Sequence, residues 1–302
     1  MLESLGRVYY CEHGTAREVN QLLTKEDINI IVCNPNKQSY ILDGSILNHT
    51  LVHTINTCST GLNHIDLQYC KDNDIVIQSH KNDYKLINEL PSTSELAFTL
   101  MMNLLRKVPD ALQHTKEFGW DYTQFIGHQL KDLKVGIVGY GRLGRMMYNY
   151  CEAFGADIKI YDPYVKNKMS DAFLLNHWCS TLEGLFKWSK VVSLHVHVTE
   201  ETKNLVNGNI LFDNCSGTYL INTSRGDVVN EKDICVALES GQLAGYATDV
   251  IVDEFNTTVK DSIILNSMDK LNIISTPHIG GMTWQGQEKA YMWSINKIKD
   301  RL

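Results

Sequence analysis

Proline, closely spaced cysteines and flexible linker sequence are all scarce in this chain of 302 residues. It has only five prolines and no Gly/Ser-rich tract, so the sequence shows no flexible linker between independent halves. Its eight cysteines are dispersed, and none forms a C-x-x-C pair, the spacing typical of zinc sites and dithiol redox motifs. We therefore expect free thiols and no metal site, as in a reducing cytoplasm.

Positive charge and long apolar runs are also lacking. The formal net charge is -7, which argues against a nucleic-acid partner, because such partners need a basic face. No apolar run is long enough to span a bilayer, and the first residues, Met1–Ser4, lack the features of a signal peptide. Hydrophobic residues make up 43% and charged residues 21%, which is typical of a globular protein. We expect a cytoplasmic protein of about two domains.

Short apolar runs alternate with amphipathic stretches, a pattern that predicts parallel strands joined by helices. The first series of strand candidates is Arg7–Cys11, Ile28–Cys33, Leu51–Thr57 and Ile75–Ser79. The second series is Lys134–Val138, Asp157–Tyr161, Val191–Val196, Tyr219–Thr223, Leu243–Thr248 and Asn272–Ser275. The main helix candidates are Ala16–Thr24, Leu62–Asp72, Ser94–Arg106, Arg145–Phe154 and Trp284–Leu302. We therefore predict an α/β fold built from two strand–helix series.

A glycine-rich turn follows the first strand of the second series. Gly139, Gly141 and Gly144 have G-x-G-x-x-G spacing, which is a weak signal alone but here lies between a strand and a helix. The first glycine permits a tight turn, the second lets backbone approach a pyrophosphate, and the third permits close packing of the helix. The alternative, a glycine turn without a ligand, stays open. This context predicts a dinucleotide site at a helix N-terminus.

An acidic residue follows the next strand. Asp162 comes directly after Asp157–Tyr161, at about the distance downstream at which a ribose-binding acid is expected. A carboxylate there accepts hydrogen bonds from both ribose hydroxyls and repels the 2′-phosphate of NADP. We predict NAD as the cofactor, although Lys166 and Lys168 lie nearby and would soften that preference.

Three further motifs each end a strand, where ligands of open α/β sheets bind. They contain Arg225 in Ile221–Gly226, Asp249 and Glu254 in Ala247–Glu254, and His278 in Ser275–Gly281. An arginine can clamp a carboxylate, a histidine can exchange a proton near neutral pH, and a glutamate can orient that histidine. Each residue also has an ordinary structural explanation. Their joint occurrence after a dinucleotide turn favours hydride transfer to a 2-oxo acid.

With these motifs the sequence resembles the D-isomer-specific 2-hydroxyacid dehydrogenases, a family that includes phosphoglycerate dehydrogenases. The likeness runs from Ser59–Asp66 through the glycine turn and Val192–Val196 to the His278 motif. The resemblance implies a catalytic set of Arg225, Glu254 and His278. It implies a substrate-binding set of Thr60, Gly61, Arg225 and His278. The cofactor-binding set that it implies is Gly139, Gly141, Arg142, Leu143, Gly144, Asp162, His195, Thr223 and Asp249.

The resemblance also implies the domain plan. It predicts two Rossmann-like domains with parallel sheets, in which a cofactor domain at 97–284 is inserted into a flavodoxin-like substrate domain made of 1–96 and 285–302. It further implies a homodimer that is paired largely through the cofactor domain. Among the departures from the family pattern, His197 replaces a usual proline, and the segment Asp253–Asp261 lacks the Glu-Pro that commonly follows the aspartate. The loop Asn34–Lys37 is also altered, which weakens a phosphoglycerate assignment, with Lys37 as a possible anion contact.

Several functions remain open at this point. Formate dehydrogenases of this group pair the histidine with glutamine, so Glu254 argues against them. A phosphite-type dehydrogenase keeps the same catalytic set. An NAD(H)-sensing corepressor on this scaffold also keeps it, but we expect that role to be disfavoured, because the sequence shows neither added tails nor a basic face. A methyltransferase with its own glycine loop would not need the Arg225 and His278 motifs. The favoured hypothesis is an NAD-dependent dehydrogenase for a small D-2-hydroxy acid.

Overall fold

The computed structural model describes residues 2–12, 14–34, 40–165, 173, 176–254 and 259–299. Lys37, Lys166 and Lys168 lie outside these residues, as does most of the Asn34–Lys37 loop. The chain divides into two compact units, one formed by Met1–Leu90 with Met282–Leu302 and the other by Pro91–Gly281. The assignment of a substrate domain and a cofactor domain, with boundaries at 97 and 284, stays a prediction.

The first unit is built on a small parallel sheet. Its strands are β1 (Ile30–Cys33), β2 (Thr54–Thr57) and β3 (Val76–Gln78), hydrogen-bonded in the order β1-β2-β3. Its helices are α1 (Ala16–Lys25), α2 (Gly44–Leu47), α3 (Leu67–Asp72), α4 (Tyr84–Ile87) and α12 (Trp284–Lys299). The C-terminal helix α12 is held to two of the strands: Asn56 Nδ2 donates to Ser294 O at 3.2 Å, and Gln78 Nε2 to Lys297 O at 3.1 Å.

Two predictions for this unit were wrong. Residues 7–11 form no strand but an irregular segment, in which Tyr10 is 72% exposed. A strand needs a partner for its backbone groups, and local alternation of apolar residues cannot supply one. The helix predicted to begin at Leu62 begins only at Leu67, because Asp66 caps it by accepting a hydrogen bond from Tyr69 N at 2.9 Å.

The second unit contains a six-stranded parallel sheet. Its strands are β4 (Lys134–Val138), β5 (Asp157–Tyr161), β6 (Val191–Leu194), β7 (Thr218–Asn222), β8 (Leu243–Thr248) and β9 (Ile273–Ser275). Its helices are α5 (Ser92–Leu105), α6 (Val108–Lys116), α7 (Arg142–Ala153), α8 (Leu182–Trp188), α9 (Gly208–Asn214), α10 (Glu231–Glu239) and α11 (Ile263–Ser267). The strand order β5-β4-β6-β7-β8-β9 reverses direction at β4, between β5 and β6. In such sheets ligands bind at this switch point, beyond the carboxyl ends of the strands.

Both faces of this second sheet are covered. Residues such as Ile137 and Ile221 pack in a cluster with α5 and α7, while Val192 and Leu220 pack in a second cluster with α8, α9 and α10. Burial on both faces explains why these strands are nearly continuous apolar runs. The predicted α/β class with parallel sheets is therefore confirmed.

None of the eight cysteines, all of which the structure describes, forms a disulfide. Among the residues that the structure describes, no group of three or more His, Cys, Asp or Glu side chains is arranged to hold a metal ion. Within the same residues, no helix is both long enough and apolar enough to cross a membrane.

Candidate active site

The glycine-rich turn joins β4 to α7 at the switch point of the sheet. Gly139 has a left-handed φ of +88°, and its N–H donates to Tyr161 O at 2.9 Å. A Cβ at this position would lie 2.5 Å from His195 O, so a side chain is excluded by space as well as by conformation. The turn is therefore hydrogen-bonded to the end of β5 and packs against the backbone directly after β6.

The other two glycines of the motif have different surroundings. A Cβ on Gly144 would collide with the carbonyl oxygen of Gly139, whereas no described atom lies within 4 Å of the position that a Cβ on Gly141 would take. Gly141 is the N-cap of α7, whose first-turn N–H groups have no partner within the helix. Open space in front of a helix N-terminus fits a pyrophosphate. Arg142 and Leu143, also predicted to bind cofactor, form the first turn of this helix, and burial lowers the pKa of Arg142.

Asp162 lies at the end of β5 and is 9% exposed. One carboxylate oxygen accepts from Tyr140 N at 2.8 Å, and the other accepts from Tyr164 N at 2.9 Å. The second oxygen also accepts from Val165 N at 3.3 Å, so the lone pair that remains for a ribose hydroxyl is on the oxygen that binds Tyr140 N. Its bond to Tyr140 also ties it to the glycine turn. The ribose-binding role of Asp162 stays a prediction.

Two further predicted cofactor residues follow the neighbouring strands β6 and β7. The His195 Nε2 atom lies 2.9 Å from Ser193 Oγ, and burial lowers the pKa of His195 to about 4, so its ring is neutral at pH 7. His197, two residues further, is exposed. Thr223 directly follows β7, and its buried Oγ1 has no hydrogen-bond partner among the described residues. A buried hydroxyl without a partner is costly, which fits a ligand-binding position.

Arg225 lies in a tight turn after β7. The buried side chain of Asn222, the last residue of the strand, donates to Arg225 O at 2.9 Å and accepts from Ser224 N at 3.0 Å. Arg225 Nη1 donates to Ser224 O at 2.6 Å. Asn222 therefore fixes the conformation of the turn that carries the guanidinium. Sequence reasoning missed this contribution, although an amide two or three residues before an arginine turn was a visible signal.

Glu254 and His278 form the central pair of the site. His278 Nδ1 lies 2.8 Å from Glu254 Oε1, and the two side chains are 28% and 16% exposed. The residues follow β8 and β9, which are hydrogen-bonded neighbours, and β8 in turn pairs with β7. Because the three strands are parallel, the motifs of Arg225, Glu254 and His278 all lie at one edge of the sheet. The predicted pairing of glutamate and histidine is present.

Asp249, the first residue after β8, holds the loop that carries His278. Its carboxylate accepts from Thr276 Oγ1 at 2.5 Å, from Ile279 N at 2.8 Å and from Gly280 N at 2.7 Å. Its backbone oxygen accepts from His278 N at 3.0 Å, at a φ of +54° for the histidine. Burial raises the pKa of Asp249, and these hydrogen bonds oppose that effect. The predicted contact with a nicotinamide carboxamide stays a prediction, and the loop-holding role was missed.

Thr60 and Gly61 belong to the first unit. They lie in the segment after β2, where Ser59 Oγ donates to Gly61 O at 2.7 Å and lies 3.0 Å from Thr57 Oγ1. These bonds give the turn a defined backbone conformation. Its role in binding the carboxylate of a substrate stays a prediction from the resemblance.

Known proteins match both the sequence and the fold of this chain. Residues 98–280 match the family model described as D-isomer specific 2-hydroxyacid dehydrogenase, NAD binding domain. D-3-phosphoglycerate dehydrogenase of Bacillus subtilis is 28% identical over 79% of this chain and 43% of its own length. The enzyme of that name from Haemophilus influenzae is 32% identical over 76% of this chain and 53% of its own length. The chain thus spans about half the length of the curated relatives that it matches.

Solved structures show the same fold. D-lactate dehydrogenase of Aquifex aeolicus, complexed with NAD and lactic acid, is 27% identical with a TM-score of 0.76, covering 93% of this chain and 84% of its own. NAD-dependent formate dehydrogenase of Staphylococcus aureus, in complex with NAD, shares the fold at 24% identity with a TM-score of 0.81, covering 99% and 86%. These matches confirm the predicted family, the two-domain Rossmann-like architecture and NAD as the cofactor. The chain therefore belongs to the D-isomer specific 2-hydroxyacid dehydrogenase family, and its residues 98–280 contain the NAD-binding domain of that family.

Proposed function

We propose that this chain is an NAD-dependent dehydrogenase that interconverts a small D-2-hydroxy acid and its 2-oxo acid, with His278 as the acid and base. The observation that carries the proposal is the 2.8 Å contact between His278 Nδ1 and Glu254 Oε1 at the edge of the NAD-binding sheet. A histidine oriented by a carboxylate is suited to exchange a proton near neutral pH.

The proposed roles follow from the chemistry of each group. When bound, NADH supplies the hydride. Glu254 stabilises the charged ring of His278 through Nδ1, so proton transfer to the carbonyl oxygen of a 2-oxo acid proceeds through Nε2. Arg225 binds the carboxylate of the acid, because a guanidinium matches two carboxylate oxygens with a pair of parallel N–H donors. In the reverse direction the neutral ring of His278 accepts the hydroxyl proton.

For the cofactor, we propose that the glycine turn and the N-terminus of α7 bind the pyrophosphate. Asp162 binds the adenine-side ribose. The hydroxyl of Thr223, which has no hydrogen-bond partner in the described part of the chain, and the neutral ring of His195 line the same edge. The space in front of Gly141 supports this assignment.

A panel of 2-oxo acids tests the activity directly. NADH oxidation is followed with glyoxylate, hydroxypyruvate, phosphohydroxypyruvate and pyruvate, and we expect saturable turnover with at least one of them. Phosphite with NAD is included as a separate arm, because a phosphite-type dehydrogenase would keep the same catalytic set. Tight NADH binding with no turnover in any arm contradicts the proposal and favours an NAD(H) sensor.

Replacing the histidine tests its role. We expect His278→Ala to lower kcat about 10²- to 10⁴-fold, the usual contribution of general acid–base catalysis, since the variant lacks the proposed proton donor. NADH affinity, measured by quenching of protein fluorescence, should stay within about twofold because the phosphate-binding turn is untouched. Near-normal turnover by this variant would disprove the acid/base assignment.

We also propose a homodimer in the cytoplasm. Helix α6 and the segment after it expose a set of large apolar side chains, here called the aromatic patch: Leu112 (58% exposed), Phe118 (98%), Trp120 (92%), Tyr122 (85%) and Ile126 (78%). The segment is folded against α6, because Asp121 N donates to His114 Nε2 at 3.2 Å.

The size of the aromatic patch fits a protein–protein interface. Three aromatic side chains of about 150–250 Å² each, with two aliphatic ones, approach the roughly 800 Å² per partner of a standard interface. A second copy of this chain fits such a patch, because a two-fold interface pairs one surface with itself.

A further inference from the structure

We propose that Glu231 is a positioning residue for the Glu254–His278 pair, acting through the backbone of the loop after β8. This inference deepens the proposed function and rests on it. Glu231 is not among the residues that the sequence pattern marked as functional, and it lies in another element, at the first position of α10. The argument starts from one hydrogen bond.

Glu231 Oε1 accepts from Val252 N at 2.9 Å in a partly buried position. Val252 lies only two residues before Glu254. A hydrogen bond from a rigid helix to this peptide therefore restricts the backbone that presents the Glu254 carboxylate. Between the two residues, Asp253 has a left-handed φ of +53°, which turns the chain sharply just before Glu254.

The same stretch of backbone is held from a second side. A Cβ on Gly226 would collide with the backbone of Ile251 and with Val252 N, so the turn that carries Arg225 packs directly on this loop. The Val252 peptide thus lies between the Arg225 turn and the Glu231 carboxylate. Loss of the Glu231 contact removes one of these two restraints and leaves the packing of Gly226 in place.

The charge at Glu231 is unfavourable in its surroundings. Burial raises the pKa of Glu231, as do the neighbouring charges of Asp227 and Asp253, and only its hydrogen bond with Val252 opposes them. What the loop needs from this side chain is an acceptor oxygen rather than a negative charge. A glutamine has the same shape and keeps one acceptor oxygen, so it should replace Glu231 without loss of positioning.

A stabilising role for the helix is the competing explanation. Glu231 is also an acidic residue in the first turn of α10, a position where negative charge in general favours helix stability. A residue that acted only on the helix would affect the free energy of unfolding and leave the active-site pair unchanged. The two roles are separated by readouts at His278 itself.

The experiment compares Glu231→Ala, Glu231→Gln and the control Glu239→Ala in the full chain with NADH bound. Glu239 is an exposed acid at the other end of the same helix. The kcat and KM are measured with a 2-oxo acid that the wild type reduces. The downfield proton resonance of the His278 Nδ1–H···Glu254 hydrogen bond is recorded by NMR, assigned by its absence in His278→Gln.

We expect Glu231→Ala to lower kcat at least about tenfold, because small misplacements of catalytic groups have large effects, and to weaken the His278 resonance. NADH affinity should stay within about twofold. Glu231→Gln and Glu239→Ala should retain the kcat and the resonance of the wild type.

Wild-type kcat and an unchanged resonance in Glu231→Ala would overturn the proposal, as would a Glu231→Gln variant as impaired as the alanine. If the wild type reduces no 2-oxo acid, the proposed function fails. The resonance then still decides whether Glu231 holds the pair.

Discussion

Gly141 and Gly144 lie three residues apart, yet the structure requires them for different reasons. At Gly144 a Cβ has no room because Gly139 O occupies its place, so this glycine is a packing requirement. At Gly141 a Cβ meets no described atom, and the backbone φ of −71° suits any residue. Nothing among the residues that the structure describes explains a glycine at position 141. A ligand that approaches the backbone closely does explain it.

A pair of substitutions separates the two cases. We expect Gly141→Ala to leave the free energy of unfolding within about 0.5 kcal/mol of wild type, as for exposed sites without special features. It should weaken NADH binding about tenfold or more, because the methyl group occupies the space of the pyrophosphate. Gly144→Ala should instead cost about 1–3 kcal/mol of stability through overpacking. Urea unfolding and NADH fluorescence titrations measure both. Unchanged NADH affinity in Gly141→Ala would place the pyrophosphate elsewhere.

Among the elements, the sequence predicted the strands of the second unit well and those of the first unit less well. The bounds of Lys134–Val138, Asp157–Tyr161 and Leu243–Thr248 were all correct, because strands buried on both faces are marked by dense apolar runs. Residues 7–11 carry a similar local pattern but form no strand. In this segment the hydroxyl of Tyr9 instead donates a hydrogen bond to Glu26 Oε2, at the C-terminal end of α1, at 2.9 Å. Only the tertiary structure decides which apolar run finds a neighbour.

For the candidate site, too, the sequence predicted some features and missed others. The pairing of Glu254 with His278 was predictable from chemistry and motif order, because both end neighbouring parallel strands. The residues that hold this pair in place were not predictable from the sequence. Asp249 and Glu231 act through backbone N–H groups of loops distant in sequence, and such contacts leave no residue-type pattern. Position in the fold, rather than side-chain chemistry, identifies them.

The turn between β2 and α3 contains a buried histidine that we expect to make the first unit sensitive to acid. His64 is 2% exposed, its Nε2 lies 2.9 Å from Thr57 Oγ1, and burial lowers its pKa to about 4. A histidine whose pKa is lowered on folding is neutral in the native state while the unfolded chain takes up a proton. Stability is therefore lost as the pH falls from about 6.5, the ordinary pKa of histidine, towards 4.

The size of this effect can be measured with one substitution. Between pH 7 and pH 5 we expect His64 to account for a loss of about 2 kcal/mol in the free energy of unfolding. His64→Gln should reduce the difference between the two pH values by about that amount, whatever it does to stability at pH 7. His53, an exposed histidine directly before β2 in the same unit, provides the control variant His53→Gln. An unchanged pH dependence in His64→Gln would show that this ring is not the acid-sensitive group.

At the scale of the whole molecule, the surface distribution of aromatic residues is uneven. Trp120 of the aromatic patch and Trp284 at the start of α12 are both 92% exposed. Trp120 has Phe118 and Tyr122 beside it in sequence, each at least 85% exposed, whereas Trp284 begins an amphipathic helix of the first unit. Clustered exposed aromatics indicate an interface, while single ones are ordinary on protein surfaces.

This contrast supplies a matched test of the homodimer. We expect light scattering after gel filtration to give twice the chain mass for the wild type. Trp120→Glu should give the mass of a single chain, because a charge at the centre of an interface is left without a partner when it is buried. Trp284→Glu introduces the same charge at an equally exposed tryptophan and should leave the dimer intact.

Two outcomes would contradict this prediction. A dimer that survives Trp120→Glu would place the interface on another surface, and a monomeric wild type would rule out the homodimer. Because the proposed catalytic groups lie at the sheet edge rather than in the aromatic patch, turnover per chain should persist in a monomeric variant.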